Sequence, residues 1–171
     1  MDSKKNEIFN VQGRIDELLN VPISSCAFTG HRDLEPDFSA EKLIEAIEKC
    51  IERGVKTFYC GMAKGFDMLA AEYVLLKKRQ GAEIQLVACI PYPEQSKNFS
   101  DEDKGRYNRI LNEVDDRYLA CEAYRPWCMA QRNNYMVEKA DVLIAYCHKD
   151  SGGSFNTIKR ALQKKKSVIF V

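Results

Sequence analysis

Short runs of mostly apolar residues alternate along this chain with longer segments in which apolar side chains recur at helical spacing. The runs predict strands and cover residues 23–29, 55–60, 84–90, 118–124, 141–146 and 167–171. The segments between them predict helices and cover residues 40–53, the stretch from Gly65 to near Gly81, and residues 107–114, 127–139 and 156–166.

The strands are nearly continuously apolar, which is typical of strands covered on both faces. Alternating strands and helices of this kind predict an α/β fold with a doubly wound, mostly parallel sheet and helices on both faces. Residues 23–171 are predicted to form a single domain. Residues 1–22 are assigned to an N-terminal extension, in which the spacing of apolar residues is compatible with a short helix.

Composition narrows the class of protein. Of the 171 residues, 45% are hydrophobic and 30% are charged, and the net charge of +1 gives no electrostatic argument for a nucleic-acid or membrane partner. There is no apolar run of the ~18 residues that a membrane span needs. Seven cysteines without a CxxC pair favour reduced structural thiols, no metal site and a cytoplasmic location.

The strand, turn and helix of residues 55–72 are the stretch around which the other motifs of the chain are arranged. Gly61 and Gly65 break the pattern between a buried strand and a helix, with Met62 and Ala63 between them and Asp67 in the first helical turn. Such a turn predicts an anion site, because free backbone N–H groups and the positive end of the helix dipole converge there. Asp67 either caps the helix or binds a ribose hydroxyl.

Three further segments fall at the same predicted edge of the sheet, since ligands of doubly wound folds bind beyond the carboxyl ends of the strands. Arginine side chains in two of them suit phosphate or carboxylate groups, and glycine amides with hydroxyls in the third suit phosphate. The candidate residues in these segments are Thr29, Gly30, His31 and Arg32, then Arg132 and Asn133, and finally Ser151, Gly152, Gly153, Ser154, Asn156 and Thr157.

Together these segments resemble the SLOG superfamily of Rossmann-like proteins, and within it the YpsA type. Residues 29–32 (TGHR) and 61–72 (GMAKGFDMLAAE) match its two leading motifs. The glycine turn is similar to that of DNA-processing protein A, which binds single-stranded DNA. The helix around Arg132 and the glycine pair at residues 152–153 are similar to Lonely-guy-type phosphoribohydrolases, but Arg160 stands where those enzymes carry a glutamate.

The resemblance implies binding of a nucleotide or nucleotide-derived ligand, either a nucleoside phosphate or an ADP-ribose or NAD-related compound, by a sensor or regulator. Arg32 and Arg132 would be cationic clamps on its phosphate. A phosphoribohydrolase-like N-glycosidase is the alternative, against which the missing glutamate counts, with Arg132 as the candidate catalytic residue. Single-stranded nucleic-acid binding is a second alternative, and the fold is compatible with a homo-oligomer.

Overall fold

The computed structural model describes residues 21–171, in which six strands alternate with five helices. The strands are β1 (Ser25–Gly30), β2 (Thr57–Cys60), β3 (Gln85–Ile90), β4 (Asp116–Leu119), β5 (Val142–Tyr146) and β6 (Ser167–Phe170). The helices are α1 (Ala40–Glu52), α2 (Phe66–Arg79), α3 (Asp101–Glu113), α4 (Cys128–Lys139) and α5 (Gly153–Gln163). Almost all of the predicted N-terminal extension, with its helical spacing, lies outside the described residues.

The six strands form one parallel sheet in the order β4-β3-β2-β1-β5-β6, which confirms the predicted Rossmann-like α/β fold. From β1 the chain first adds strands on one side, up to β4, and then crosses to the other side of β1 to place β5. The strand order therefore reverses between β1 and β5. In open parallel sheets this is the point at which the loops diverge and leave a crevice at the carboxyl edge.

Helices cover both faces of the sheet, as the apolar strands predicted. In β1, Cys26 and Phe28 pack with α1, α2 and α3 in one hydrophobic cluster, whereas Ala27 between them packs with α4 and α5 in the other. This division follows from the two-residue alternation of side chains along a strand. None of the helices described between residues 21 and 171 is long and apolar enough to cross a membrane.

Three predicted boundaries are wrong. The helix predicted from residue 107 begins at Asp101, because Ser100 accepts a hydrogen bond from the Asp103 N–H and caps a first turn too polar to show an apolar face. The strand predicted over residues 118–124 is instead Asp116–Leu119. It lies at the edge of the sheet, where exposed polar residues such as Asp116 and Arg117 hide the strand pattern.

The last helix begins at Gly153 rather than at residue 156, so the glycine pair that predicted a turn lies at the helix start. In α2, the apolar spacing of Leu69, Tyr73 and Leu76 favours these residues as the buried face, but they are only partly covered, and Leu76 is 39% exposed. The fully buried face of α2 carries smaller and more flexible side chains, including Met68 and Ala71.

Candidate functional site

A cavity of about 520 Å³ opens at the carboxyl edge of the sheet, where the strand order reverses between β1 and β5. Its volume lies in the range of small-molecule sites, roughly 300–1,000 Å³. Four segments that are distant in sequence contribute to its walls: the loop after β1, the β2–α2 turn, one face of α4, and the loop between β5 and α5.

Most of the predicted ligand residues line this cavity. They are Thr29, Gly30, His31, Arg32, Ala63, Asp67, Arg132, Asn133, Ser151, Gly152, Gly153 and Ser154. All four predicted segments are represented, so the topology brings the sequence motifs to one shared space.

Five other predicted residues lie outside the cavity lining: Gly61, Met62, Gly65, Asn156 and Thr157. Met62 is fully buried in the core with a positive φ of 59°. The Thr157 hydroxyl donates to the Gly153 carbonyl, 2.8 Å away, inside the first turn of α5. Asn156 is exposed on that helix. These five positions do not line the cavity, and their contact with a ligand stays a prediction.

Arg132 is the buried cation of the cavity, with only 5% of its surface exposed. Its Nη1 donates to the Gly61 carbonyl and to the Cys89 carbonyl, and its Nε donates to the Asn133 side-chain oxygen at 2.7 Å. Its Nη2 contacts the sulfur of Met129 at 3.9 Å. Within residues 21–171 no carboxylate lies at ion-pair distance from Arg132.

Asp67, in the first turn of α2, is the buried carboxyl of the cavity and is 5% exposed. One oxygen accepts a 3.4 Å hydrogen bond from the Ala63 N–H, and the other is buried with no hydrogen-bond partner among residues 21–171. Burial raises the pKa of Asp67 from its ordinary 3.8 to about 6, although the Arg132 guanidinium and the Ala63 N–H oppose the shift. Asp67 is therefore better described as a buried carboxyl of the cavity wall than as a helix cap.

The β2–α2 turn is packed against its own surroundings. A Cβ at Gly61 would overlap the Arg132 guanidinium and approach Asp67 Oδ2, so the absent side chain makes room for both groups. Gly65 has a φ of +79°, and a Cβ there would overlap the carbonyl of Arg32. The Phe66 N–H donates to the His31 carbonyl. These contacts hold the loop after β1 against the start of α2.

The start of α5 is open by contrast. Gly152, its N-cap residue, has a φ of +94° and provides no side-chain cap. Apart from its chain neighbours, nothing in the described part of the chain lies within 4 Å of the position that a Cβ would occupy there. At Gly153 the nearest atom is Asn133 Nδ2, at 4.0 Å from such a Cβ. Since the first N–H groups of a helix have no intrahelical partner, this end of α5 presents donors to the cavity.

Two histidines stand at the mouth. His31 Nε2 accepts a 2.8 Å hydrogen bond from the backbone N–H of His148, and the two rings stack with centroids 6.0 Å apart. Burial lowers the pKa of His31, and the nearby charges of Lys149 and His148 lower it further. The neutral imidazole of His31 therefore joins the loop after β1 to the loop after β5.

The remaining wall residues were not predicted as ligand residues. Their charged side chains, Asp33, Glu35 and Lys149, are mixed in sign. Apolar walls come from Phe28, Met129 and Met136. His148 and Lys149 lie two and three residues after the end of β5, and their place near a strand end was the signal that could have identified them.

Glu72, a second carboxylate of the leading glycine motif, and Arg160 both lie outside the cavity lining. Glu72 forms a two-pronged ion pair with Arg106, at 2.8 and 2.9 Å. Arg160, at the position of the phosphoribohydrolase glutamate, lies 3.4 Å from Glu138. Asp67 is therefore the buried carboxyl available to the cavity. Within residues 21–171 no cluster of His, Cys, Asp and Glu has the arrangement of a metal site.

Comparison with solved structures shows that the fold recurs in DNA-processing protein A. The protein from Streptococcus pneumoniae superposes with a TM-score of 0.60 and 19% identity, over 90% of this chain and 51% of that one. This chain thus spans about half the length of the pneumococcal protein. The protein from Helicobacter pylori, whose structure concerns a single-stranded DNA binding mode, gives a TM-score of 0.62 at 20% identity, over 90% of this chain and 67% of that one.

Sequence relatives are bacterial proteins without an assigned activity in their names. The uncharacterized SPbeta prophage-derived protein YoqJ of Bacillus subtilis is 28% identical over 134 residues, 71% of this chain and 78% of YoqJ. A UPF0398 protein of Halalkalibacterium halodurans is 30% identical over 106 residues, 61% of this chain and 56% of that protein.

A family model links these observations to the motifs at the cavity. The YpsA model, described as the YspA SLOG family, matches residues 27–168, a span that runs from β1 to β6 and includes every segment of the cavity wall. The chain belongs to the YpsA SLOG family.

Proposed function

We propose that the cavity binds a phosphorylated nucleotide or nucleotide-derived compound, such as a nucleoside phosphate or an ADP-ribose or NAD-related molecule. The protein would act as a sensor or regulator of that compound. The observation that carries the proposal is Arg132, a buried cation in the wall with no carboxylate at ion-pair distance among the described residues. Asp67 interacts with Arg132 only from beyond ion-pair distance. The guanidinium therefore lacks a direct opposite charge, which is costly in a buried position, and an anionic ligand would supply it.

The open start of α5 supports the same ligand class. Asn133 connects the two groups, since its side-chain oxygen accepts from Arg132 Nε while its Nδ2 faces the Gly153 position. Unpaired N–H groups at the start of an 11-residue helix favour phosphate, and the helix dipole adds to this preference. A phosphate between Arg132 and Gly153 would therefore meet a cation, an amide and backbone donors.

The rest of the cavity suits the remainder of a nucleotide. Its volume of about 520 Å³ exceeds what a phosphate alone would occupy. Phe28, Met129 and Met136 provide apolar surface for a ring, while Arg32 and Lys149 at the mouth provide further positive charge. This combination of apolar walls with a few polar groups is common in small-molecule sites.

The test is calorimetric titration of the chain with inorganic phosphate, AMP, ADP-ribose and NAD, paired with thermal denaturation. A ligand at 100 times its Kd should stabilise the native state by about 2.7 kcal/mol. Gly153→Glu places a carboxylate in the open start of α5, where it suits the helix dipole but repels an anion, so we expect binding to be lost without unfolding.

Gly105→Glu, the same change inside α3 and outside the cavity lining, serves as the matched control and should bind as the unaltered chain does. The proposal fails if no compound of the panel binds, or if Gly153→Glu binds as tightly as the control. Chromatography of the nucleotide after incubation with the chain tests separately for hydrolysis. Release of free base would support the N-glycosidase alternative, with Asp67 as its carboxyl.

A second candidate function is single-stranded nucleic-acid binding, favoured by an exposed aromatic surface at the same edge of the sheet. Tyr124 is 60% exposed and Trp127 is 58% exposed, and Tyr92 packs edge-on against Tyr124 with centroids 5.2 Å apart. Exposed aromatic rings beside cations such as Arg125 are the features on which bases stack.

Fluorescence anisotropy with a labelled oligonucleotide at two salt concentrations tests this candidate. Binding that weakens with salt and falls at least roughly tenfold in Trp127→Ala would support it, since base stacking is worth about 1–3 kcal/mol. Binding that Trp127→Ala leaves unchanged would exclude a role for this surface.

A further inference from the structure

The carbonyl of Gly61, to which Arg132 donates, has a second donor that lies outside the cavity lining. This donor is the side-chain amide of Gln95, whose Nε2 lies 2.9 Å from the Gly61 oxygen. Arg132 Nη1 donates to the same oxygen and, at 3.3 Å, to the Cys89 carbonyl. Because a carbonyl oxygen has two lone pairs, the amide and the guanidinium together use its full capacity as an acceptor.

Gln95 belongs to the loop between β3 and α3 and is only 6% exposed. Its side-chain oxygen accepts a 3.2 Å hydrogen bond from the hydroxyl of Tyr107 in α3, which is 3% exposed. Burial raises the pKa of Tyr107 to about 12, although the Arg132 guanidinium opposes the shift, so the phenol keeps the proton that it donates. Phe99 packs edge-on against the Tyr107 ring, with centroids 5.9 Å apart.

The chemistry of these two contacts fixes which end of the Gln95 amide faces Gly61. A carbonyl can only accept, so the NH₂ group must face the Gly61 oxygen, and the amide oxygen is left to accept from Tyr107. The result is a buried chain of hydrogen bonds from Tyr107 through Gln95 to the acceptor that Arg132 shares. The members of such a chain strengthen and orient one another.

We propose that Gln95 is a positioning residue for the Arg132 guanidinium and that Tyr107 acts through Gln95. Without the amide, the Gly61 carbonyl is no longer held from the side of α3, and the guanidinium that donates to it loses a fixed acceptor. The affinity of the cavity for an anion would then depend on a buried pair of side chains that the ligand does not touch. This consequence for the ligand rests on the proposed function, whereas the hold on Arg132 is measured without any ligand.

Two variants interrupt the chain at different points. Gln95→Met keeps an unbranched side chain of similar length and removes both the donor and the acceptor. Tyr107→Phe keeps the ring that packs on Phe99 and removes only the hydroxyl. Gln131→Met is the matched control, because it removes another side-chain amide, whose Nε2 donates instead to the Ala120 carbonyl at 3.0 Å.

The first measurement uses the ligand-free chain. The Nε–H of Arg132 donates to the Asn133 side chain, and heteronuclear NMR follows its exchange with solvent. Its signal is identified by its absence in Arg132→Lys. We expect this exchange to be at least roughly tenfold faster in Gln95→Met, because a guanidinium that is held less firmly opens to water more often. Gln131→Met should exchange as the unaltered chain does.

The second measurement is calorimetric titration with inorganic phosphate. Gln95→Met should bind phosphate roughly tenfold more weakly, since the loss of one buried hydrogen bond changes an equilibrium constant by about that factor. Tyr107→Phe should show a smaller loss. The double variant should lose no more affinity than Gln95→Met alone, because Tyr107 then has no amide through which to act.

Equal exchange rates of the Arg132 proton in Gln95→Met and Gln131→Met would overturn the positioning role. Equal phosphate affinities of these two variants, or losses that add in the double variant, would overturn it as well. If Gln95→Met does not fold in thermal denaturation, Tyr107→Phe is compared with Gln131→Met in the same way. If the unaltered chain binds no phosphate, the proposed function loses its support, and the exchange rates alone decide whether Gln95 positions Arg132.

Discussion

Two glycine-containing turns meet at the carboxyl edge of the sheet, and they differ in what occupies the space around them. Around the β2–α2 turn, protein atoms fill this space: the Arg132 guanidinium lies where a side chain of Gly61 would be, and the Arg32 carbonyl lies where one of Gly65 would be. Around Gly152, at the start of α5, no atom of residues 21–171 other than those of Gly152 and its chain neighbours comes within 4 Å of a Cβ position.

This difference separates two uses of glycine that a sequence motif does not distinguish. The first turn uses glycine so that protein groups can approach one another closely. The second turn leaves the space beside the glycine open for a ligand. Glycine is still favoured at position 152 by the backbone, because its φ of 94° lies in the left-handed region. The longer and more complete motif, at residues 61–72, is therefore mainly structural, and the shorter one is the better candidate for ligand contact.

The strongest test of this contrast is the same substitution in both turns. Gly65→Ala combines an unfavourable φ with overlap on the Arg32 carbonyl, so we expect a loss of about 3 kcal/mol in the free energy of unfolding. Gly152→Ala has the unfavourable φ alone and should lose only about 1 kcal/mol. Urea denaturation of both variants measures the difference, and equal losses would refute it.

The second prediction concerns Asp67, which is built into the filled turn. Its folded-state pKa of about 6 exceeds its ordinary 3.8, so the folded protein holds this proton more tightly than the unfolded chain does. The carboxyl should therefore lower stability progressively as pH rises from about 4 to about 6, by on the order of 3 kcal/mol in total.

Asp67→Asn removes that titration, so the variant should be more stable than the unaltered chain at neutral pH and nearly equal to it near pH 4. Denaturation midpoints at the two pH values check the sign. A variant that is less stable at neutral pH would show that Asp67 is paired more favourably than its contacts suggest.

The third prediction sharpens the assignment of the open turn. Gly153→Ala improves the helix by up to about 1 kcal/mol, because alanine is the better helix former and its Cβ meets no closer atom than Asn133 Nδ2. The same methyl group would occupy the proposed phosphate position and weaken anion binding roughly tenfold, or about 1.4 kcal/mol. Opposite changes in melting temperature and affinity are expected, and unchanged affinity would place the ligand elsewhere.

The smallest effect is expected at His31, which joins the loops beside the two turns. Its pKa is lowered, so neutral His31 contributes stability that is fully present above its ordinary pKa of 6.5 and is lost as pH falls from there through the lower folded-state pKa. The contribution should be below about 1 kcal/mol, the usual net value of one hydrogen bond. The stability difference between the unaltered chain and His31→Ala should shrink between pH 7.5 and pH 5.5, and a constant difference would contradict the prediction.

Local pattern was enough to predict the architecture, because an apolar strand such as β5 is buried along its whole length and most crossovers are recognisable helices. The pattern did not predict the correct boundaries where most residues of a helical turn or of a strand are polar. The first turn of α3 begins with Asp101, Glu102 and Asp103, and β4 lies at an edge with little buried surface.

The candidate site was predictable in its location and only partly in its contacts. Strand ends identified the segments, because parallel strands deliver their following loops to one edge. That Arg132 donates to the carbonyls of Gly61 and Cys89 depends on packing between α4 and two strands remote in sequence. No spacing rule within a single motif contains that information.

The way Arg132 fills the space beside Gly61 also constrains how relatives of this chain can diverge. A side chain at position 61 and an arginine at position 132 exclude each other sterically, so the two positions should vary together across the family. Lineages that replace the arginine become free to carry alanine or serine at 61, and with it they give up the buried positive charge that this cavity contains.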